Sequence, residues 1–420
     1  MSLSERLAKA RLETNALKNS ASRALYAIDA AIAELGESGA VTPAPAPAPS
    51  HAPAPPPAPA PSSIAPLQAT PLPAKTGDAM NIPGFEAPRH GMTYAGGEAG
   101  DSRDEQGAAY SQKGEEFDPY IAEGAKVIRY PIRFNRVAPG GQVDPMGDPA
   151  KPRNVSGATS PWHITHLAKR AKHAIDRGAI FMPEDHSYRS MSNPDIAIFW
   201  VKFDKAFRAE CARLKYGALA DSPLLIYGLQ NEPDGPWATY GQDAVSRVHE
   251  IRAAGVKVTL GLGYPSWCKM AELPKALDLI QAAGGVANLD PLNRTIMCPH
   301  DYWEPSGNDQ SKKIISGLDI EKRYDPAAAA LRKYKITAMV EEIGLGGGTP
   351  GFLPGSKGEP DYGRKVLESF AAWTHRNSDV IRGVVAWGGR LKPTDSYHIR
   401  VGTPATNAIR DLLWKNSAAA

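Results

Sequence analysis

Leu224-Leu225-Ile226-Tyr227-Gly228 is a short apolar run followed by Leu229 and the polar stop Gln230-Asn231-Glu232-Pro233. The run predicts a buried β-strand, and Pro233, which has no N–H to give a ladder, takes the chain out of the sheet. Seven other segments share this character: Met92–Gly96, Val127–Ile132, Ala179–Pro183, Val256–Leu260, Thr295–Cys298, Thr337–Glu341 and Gly383–Ala386. A helical pattern follows each strand. Four helix starts are predicted at cap–proline pairs, Ser160-Pro161, Asn193-Pro194, Asp325-Pro326 and Thr403-Pro404, and several helices end at glycine. Eight strands alternating with helices predict a (β/α)8 TIM barrel over residues 76–416. An open doubly wound sheet would carry a glycine fingerprint after its first strand, and none follows Met92–Gly96.

Residues 1–36 and 37–75 have a different composition. Leu3, Leu7, Ala10, Thr14, Leu17, Ala21, Ala24, Ile28, Ala31 and Leu35 alternate steps of four and three, a heptad seam that predicts a helix for oligomerisation or anchoring to a larger particle. Residues 37–75 include PAPAPAP and APAPPPAPAP and hold many of the chain's 38 prolines. Alternating prolines favour extended polyproline II, a semi-rigid spacer of roughly 100 Å at about 3.1 Å per residue.

With 48 Lys and Arg against 45 Asp and Glu, the net charge of +3 gives no electrostatic case for a nucleic-acid partner. No apolar run is long enough to span a membrane. Met1–Ser20 has charged residues throughout and no signal-peptide apolar stretch, so synthesis in the cytoplasm is expected, with association to a virion or signal-independent release as alternatives. Cys211, Cys268 and Cys298 form no metal or redox spacing and read as buried packing residues, with a Cys268–Cys298 bridge left open. His163, His166 and His173 lie on one helix without nearby acidic or thiol partners, so no metal and no cofactor are expected. Lys169, Arg170 and Lys172 read as a solvated helix face, and Gly344–Gly348 as a flexible substrate-side loop.

In such a barrel, chemistry collects at the C-terminal ends of strands. Strand four ends in Asn231-Glu232, strand six in His300-Asp301-Tyr302, strand seven in Glu341-Glu342 and strand eight in Trp387. Strand two carries Arg129, and strand three leads into His186. Carboxylates on strands four and seven face each other across the mouth, as hydrolysis of a glycosidic bond requires. Neighbouring strand residues point to opposite faces, so only one of Glu341 and Glu342 is expected to aim at a substrate. Trp237, Trp267, Trp303 and Trp387 follow strand ends, where flat indoles stack on sugar rings. At least two of them are expected in the groove, whereas Trp162, Trp200, Trp373 and Trp414 read as packing.

From residue 76 onward the chain resembles glycoside hydrolase family 5, most of all its endo-β-1,4-glucanase (cellulase) branch. The resemblance is carried by His90–Glu98, Gly124–Ile132, Leu225–Pro233, Gln242, Ile251–Gly255, His300-x-Tyr302, Glu342-Ile343-Gly344 and Trp387. It implies Glu232 as general acid/base and Glu342 as nucleophile. It further implies Asn231 on the sugar 2-hydroxyl, Arg129 and Tyr302 on the nucleophile, His300 beside the acid/base, and His186 and Trp387 lining the −1 site. Trp267 and Trp303 join the substrate-binding set as aromatics after strand ends. Two positions depart from the family: Ser187 where asparagine is usual, and Ile343 where an aromatic is usual. The implied activity is retaining endo-hydrolysis of a β-linked polysaccharide, β-1,4-glucan first. The alternatives are a particle-borne depolymerase for a bacterial surface polysaccharide and a non-catalytic carbohydrate-binding barrel.

Overall fold

The computed structural model describes residues 72–95, 115–132, 160–186, 193–233, 235–304, 313–344, 352–389 and 397–416. The heptad segment, nearly all of the Pro/Ala tract, Ser187 and the loop 345–348 lie outside them. Among the described residues, none of the helices is long and apolar enough to cross a membrane.

Nine parallel strands form one sheet: β1 (Gly91–Tyr94), β2 (Val127–Ile132), β3 (Ile180–Asp185), β4 (Ile226–Gly228), β5 (Thr259–Leu262), β6 (Thr295–Met297), β7 (His300–Tyr302), β8 (Ala338–Gly344) and β9 (Ile381–Gly389). Neighbours run β6-β5-β4-β3-β2-β1-β9-β8-β7, and a further pairing of β6 with β8 closes the ring. The segments β6 and β7 together fill the sixth place of a closed (β/α)8 barrel. Cys298-Pro299 divides them, because Pro299 has no N–H for the ladder; its carbonyl accepts from the Glu341 N–H instead (2.9 Å).

The helices are α1 (Asp118–Ala122), α2 (Ser160–Asp176), α3 (Asn193–Arg213), α4 (Trp237–Ala253), α5 (Leu273–Ala282), α6 (Ile320–Tyr334), α7 (Tyr362–Arg376) and α8 (Pro404–Leu412). Three of the four cap–proline pairs stand at helix starts, with Thr403 accepting from the Thr406 N–H. The fourth does not. Asp319 caps α6 by accepting from Lys322 N, Pro326 lies inside the helix, and the Asp325 carboxylate accepts from the Trp373 indole on α7.

Strand five also starts later than the expected Val256. Arg252, fully buried at the end of α4, donates to the carbonyls of Val256 and Val258 at 2.8 Å each and pairs with Asp290. Those carbonyls belong to a clamped loop, and the ladder begins at Thr259. The basic cluster on α2 needs a correction as well. Arg170 is 0% exposed; its guanidinium lies over the Tyr130 ring and donates to Glu116. A long arginine stem covers apolar surface well, so a charged letter in a helix need not face water.

In the lower part of the barrel, alternate strand residues face inward. Val127, Ile180, Met182, Ile226, Ile296, Cys298, Met339 and Val385 point into one apolar cluster. Ile82 and Phe85, from the segment before β1, complete it and are at most 1% exposed. Each such side chain contributes about 1.5–3 kcal/mol by leaving water. Two residues further along the same faces the series turns polar: Arg129 after Val127, Glu184 after Met182, His300 after Cys298, Glu341 after Met339 and Trp387 after Val385. Because every strand runs the same way, these residues meet at one end. All three cysteines are buried free thiols, so Cys268 and Cys298 are not bridged.

Candidate active site

Arg129 is the hub, and it is 0% exposed. Its Nη1 donates to Glu342 Oε2 (2.6 Å) and to Thr93 Oγ1 (3.3 Å). Its Nη2 donates to Glu184 Oε1 (2.6 Å) and Asn231 Oδ1 (2.7 Å), and its Nε to Glu341 Oε1 (3.2 Å). One guanidinium therefore ties strands one, two, three, four and seven of the barrel. A buried charge of this kind is tolerable only because it is paired several times over.

Both strand-seven glutamates enter this network, contrary to the expectation that only one would. Glu341 continues the inward alternation of Met339. Glu342 joins it because the register of β8 slips: Val340 pairs with Val384 and Ile343 with Ala386, three steps on β8 against two on β9. A bulge of this type re-aims a side chain that plain alternation would send to the other face.

Glu342 Oε1 accepts from the Tyr302 hydroxyl at 2.5 Å. Burial, reinforced by the Glu342 charge, pushes the Tyr302 phenol well above its ordinary range, so it stays a donor. Gly344 makes that contact geometrically possible. A Cβ there would lie 2.3 Å from the Tyr302 ring, which accounts physically for the glycine in Glu342-Ile343-Gly344. Across the site, His300 Nδ1 lies 3.3 Å from Glu232 Oε1. Burial would lower the His300 pKa, but Glu342, Glu232 and Glu341 outweigh burial and the opposing Arg129, and lift it to about 9. Glu232 itself has φ +41°, left-handed backbone for a non-glycine residue, at the strand-to-helix exit where the Asn231 N–H donates to the Asp185 carbonyl. Such a conformation costs on the order of 1–3 kcal/mol and persists where the surroundings enforce it.

His186 Nδ1 meets Glu184 Oε2 at 2.9 Å, Asn231 Nδ2 lies 3.4 Å from His186 Nε2, and the imidazole stacks on Trp387 (centroids 5.5 Å, 13° between planes). Trp387 is half-buried and also lies under the Arg129 guanidinium. Trp267 is half-buried in a left-handed turn, with Ser266, Trp267 and Cys268 at φ 64°, 57° and 52°. The Cys268 N–H donates to the Tyr264 carbonyl, and the Cys268 carbonyl accepts from the His300 N–H (2.7 Å), fastening this turn to the site. Lys269 lies over the Trp267 ring. Trp303 departs from expectation. It is 0% exposed, donates to the Tyr324 hydroxyl and packs edge-on against Phe370, so it belongs to the helix layer and has no face open to a ligand. Trp237, half-buried at the start of α4, donates to Ser266 Oγ and supports the Trp267 turn.

Glu184 is the site residue that the sequence reading missed. Its signal was its phase: two residues after Met182 and two before His186. Gly228 on the adjoining strand makes space for it, since a Cβ there would lie 2.7 Å from the Glu184 side chain. Burial and the neighbouring Glu341 raise its pKa well above the ordinary carboxyl value against the pull of Arg129. Glu341 goes the other way: Arg129 and His300 outweigh burial and hold it as a carboxylate. Two triplets, Glu184/His300/Glu341 and Glu232/His300/Glu342, each bring potential ligand atoms within 4.8 Å of one another. A cation there would have to share Glu184, Glu341 or Glu342 with Arg129.

A cellulase (glycosyl hydrolase family 5) model matches residues 104–374. The chain belongs to glycoside hydrolase family 5. It is thus a glycoside hydrolase, and the convergent carboxylates lie at the barrel end where such an enzyme needs them. Solved family 5 structures share its fold. A triple mutant of the endo-β-1,4-glucanase from Xanthomonas axonopodis pv. citri is 17% identical with a TM-score of 0.57, over 78% of this chain and 99% of that one. The Pseudomonas stutzeri endoglucanase Cel5A in complex with cellobiose is 19% identical with a TM-score of 0.57, over 79% and 94%. Cel5A from Hypocrea jecorina is 16% identical with a TM-score of 0.56, over 77% and 97%. No curated protein sequence matches the chain.

Proposed function

We propose that this family 5 hydrolase cleaves internal bonds of a β-1,4-linked glucan with retention of anomeric configuration. One observation carries the stereochemical part: Glu232, His300 and Glu342 each place a side-chain atom within 4.8 Å of the other two. Retaining enzymes hold their two carboxyl groups about 5–5.5 Å apart, whereas inverting ones need about 6.5–9.5 Å to admit a water. The glucan part rests on the endoglucanases that share the fold, one of them bound to cellobiose.

Glu342 is the nucleophile. Arg129 and Tyr302 hold its two oxygens, which aims it. Its carboxylate attacks the anomeric carbon, a carbon–oxygen ester bond forms, and the glycosidic carbon–oxygen bond breaks. Glu232 gives its proton to the departing oxygen. In the second step Glu232 takes a proton from water, the water oxygen attacks the same carbon, and Glu342 leaves as a carboxylate. Trp387, braced by His186, forms the floor under the sugar, and Trp267 offers a second aromatic face at the mouth.

The test is proton NMR of the earliest products from cellopentaose. The β-anomer is expected before mutarotation. An α-anomer as first product would overturn the role assignment, and no hydrolysis of any β-1,4-glucan would overturn the substrate.

A further inference from the structure

Strand seven delivers a second glutamate to the site, and the chemistry above leaves it without a task. Glu341 is 3% exposed and sits between the two groups that serve the reacting carboxylates. Its Oε1 accepts from Arg129 Nε, and the same guanidinium binds Glu342. Its Oε2 lies 3.9 Å from His300 Nε2, beyond hydrogen-bond reach but within ion-pair range, while the other nitrogen of that ring faces Glu232. The imidazole is thus flanked by a carboxylate on each side.

We propose that Glu341 is a positioning residue that keeps a proton on His300 and so supplies Glu232 with the proton it spends and recovers in each turnover. The proposal rests on the retaining reading above. The His300–Glu232 pair holds one proton more than two bare bases would. That one proton rests on His300 Nδ1; it passes to Glu232 and on to the leaving oxygen, which leaves His300 neutral and Glu232 a carboxylate. When Glu232 later accepts a proton from water, that proton returns to His300, and the cycle balances.

Every charged neighbour of His300 bears on this. Glu232 comes from the end of β4, Glu341 and Glu342 from β8, and Arg129 from β2. Glu184 on β3 reaches the same triplet, but its Oε1 accepts from Arg129 and its Oε2 meets His186. The Cys298 and Cys268 thiols are pushed up by burial and stay neutral. On the Nε2 side of His300 stands Glu341 Oε2, a carboxylate oxygen that forms no bond with a sugar. Its position depends on Arg129, whose Nε donates to Glu341 Oε1 while Nη2 of the same guanidinium holds Glu184. In Glu341→Gln the amide oxygen can still accept from Arg129, so the change removes charge more than shape.

The experiment is an NMR titration of the His300 imidazole in full-length protein, assigned by loss of its signal in His300→Gln. Wild-type His300 should titrate near 9, and a midpoint below the ordinary histidine value would overturn the proposal without any variant. In Glu341→Gln the midpoint should fall by about one pH unit or more, and Glu341→Asp should restore much of it. The basic limb of kcat/KM on 4-nitrophenyl β-cellobioside should move to lower pH by a similar amount. A uniform loss of activity at every pH with the His300 midpoint unmoved would make Glu341 merely structural. The imidazole readout needs no substrate, so it stands even where the glucan assignment fails.

Discussion

The lower and upper halves of this barrel are built from the same strands on the same alternating faces, yet they obey opposite rules. Below, Val127, Ile180, Met182, Ile226, Met339 and Val385 pack around Ile82 and Phe85 with no polar partner needed. Above, two residues on, Arg129, Glu184, Glu341, Glu342 and His300 are just as buried but every charge is tied to another. The lower half gains stability from removal of apolar area. In the upper half, desolvation of charges consumes much of what pairing returns, and the yield is orientation. The same burial therefore means stability at one end and preorganisation at the other.

That contrast breaks most sharply at Glu342. Glu342→Gln should lower turnover on the order of 10⁴-fold, with the fold retained by circular dichroism. Glu232→Gln should still accept an activated aryl glycoside, and azide should restore breakdown of the covalent intermediate. If azide instead rescues Glu342→Gln with retained configuration, the two roles are exchanged.

Phe85→Ala probes the other half. It should cost about 3–5 kcal/mol of unfolding free energy, read from the shift of a denaturant midpoint. The folded fraction should keep its kcat, because Phe85 belongs to the apolar cluster and not to the polar layer. A large loss of kcat with little loss of stability would show that the halves are not separable.

A smaller effect sharpens the boundary within the upper half. Gly344→Ala places a methyl group against the Tyr302 ring and should draw the hydroxyl away from Glu342 Oε1. A displacement of this size should cost about 10²-fold in kcat/KM. An unchanged kcat/KM would mean that Arg129 alone positions Glu342.

Much of this was legible one letter at a time. Apolar runs punctuated by proline and glycine marked eight strand places, and the polar residues that follow them marked the mouth. Pro299 splits the sixth strand, and Arg252 delays the fifth, because a missing donor or a borrowed carbonyl changes the ladder without changing hydrophobicity. Trp303 and Arg170 show the limit of reading residue type as exposure: an indole after a strand went to the helix layer, and a guanidinium on a helix went under a ring.

The sequence by itself determined that the chain forms a (β/α)8 barrel and that Glu232, Glu342, Arg129, His300 and Tyr302 stand near its strand ends. Period and punctuation are local properties, and they survive in a string of letters. Only the tertiary structure decided that Glu184 and Glu341 join them. Glu184 depends on the space left by a glycine on the next strand, and the pairing of Glu341 with Glu342 depends on a register slip between two strands. Both are relations between segments far apart in the chain, and hydrogen-bond register across a sheet leaves no mark on either strand alone.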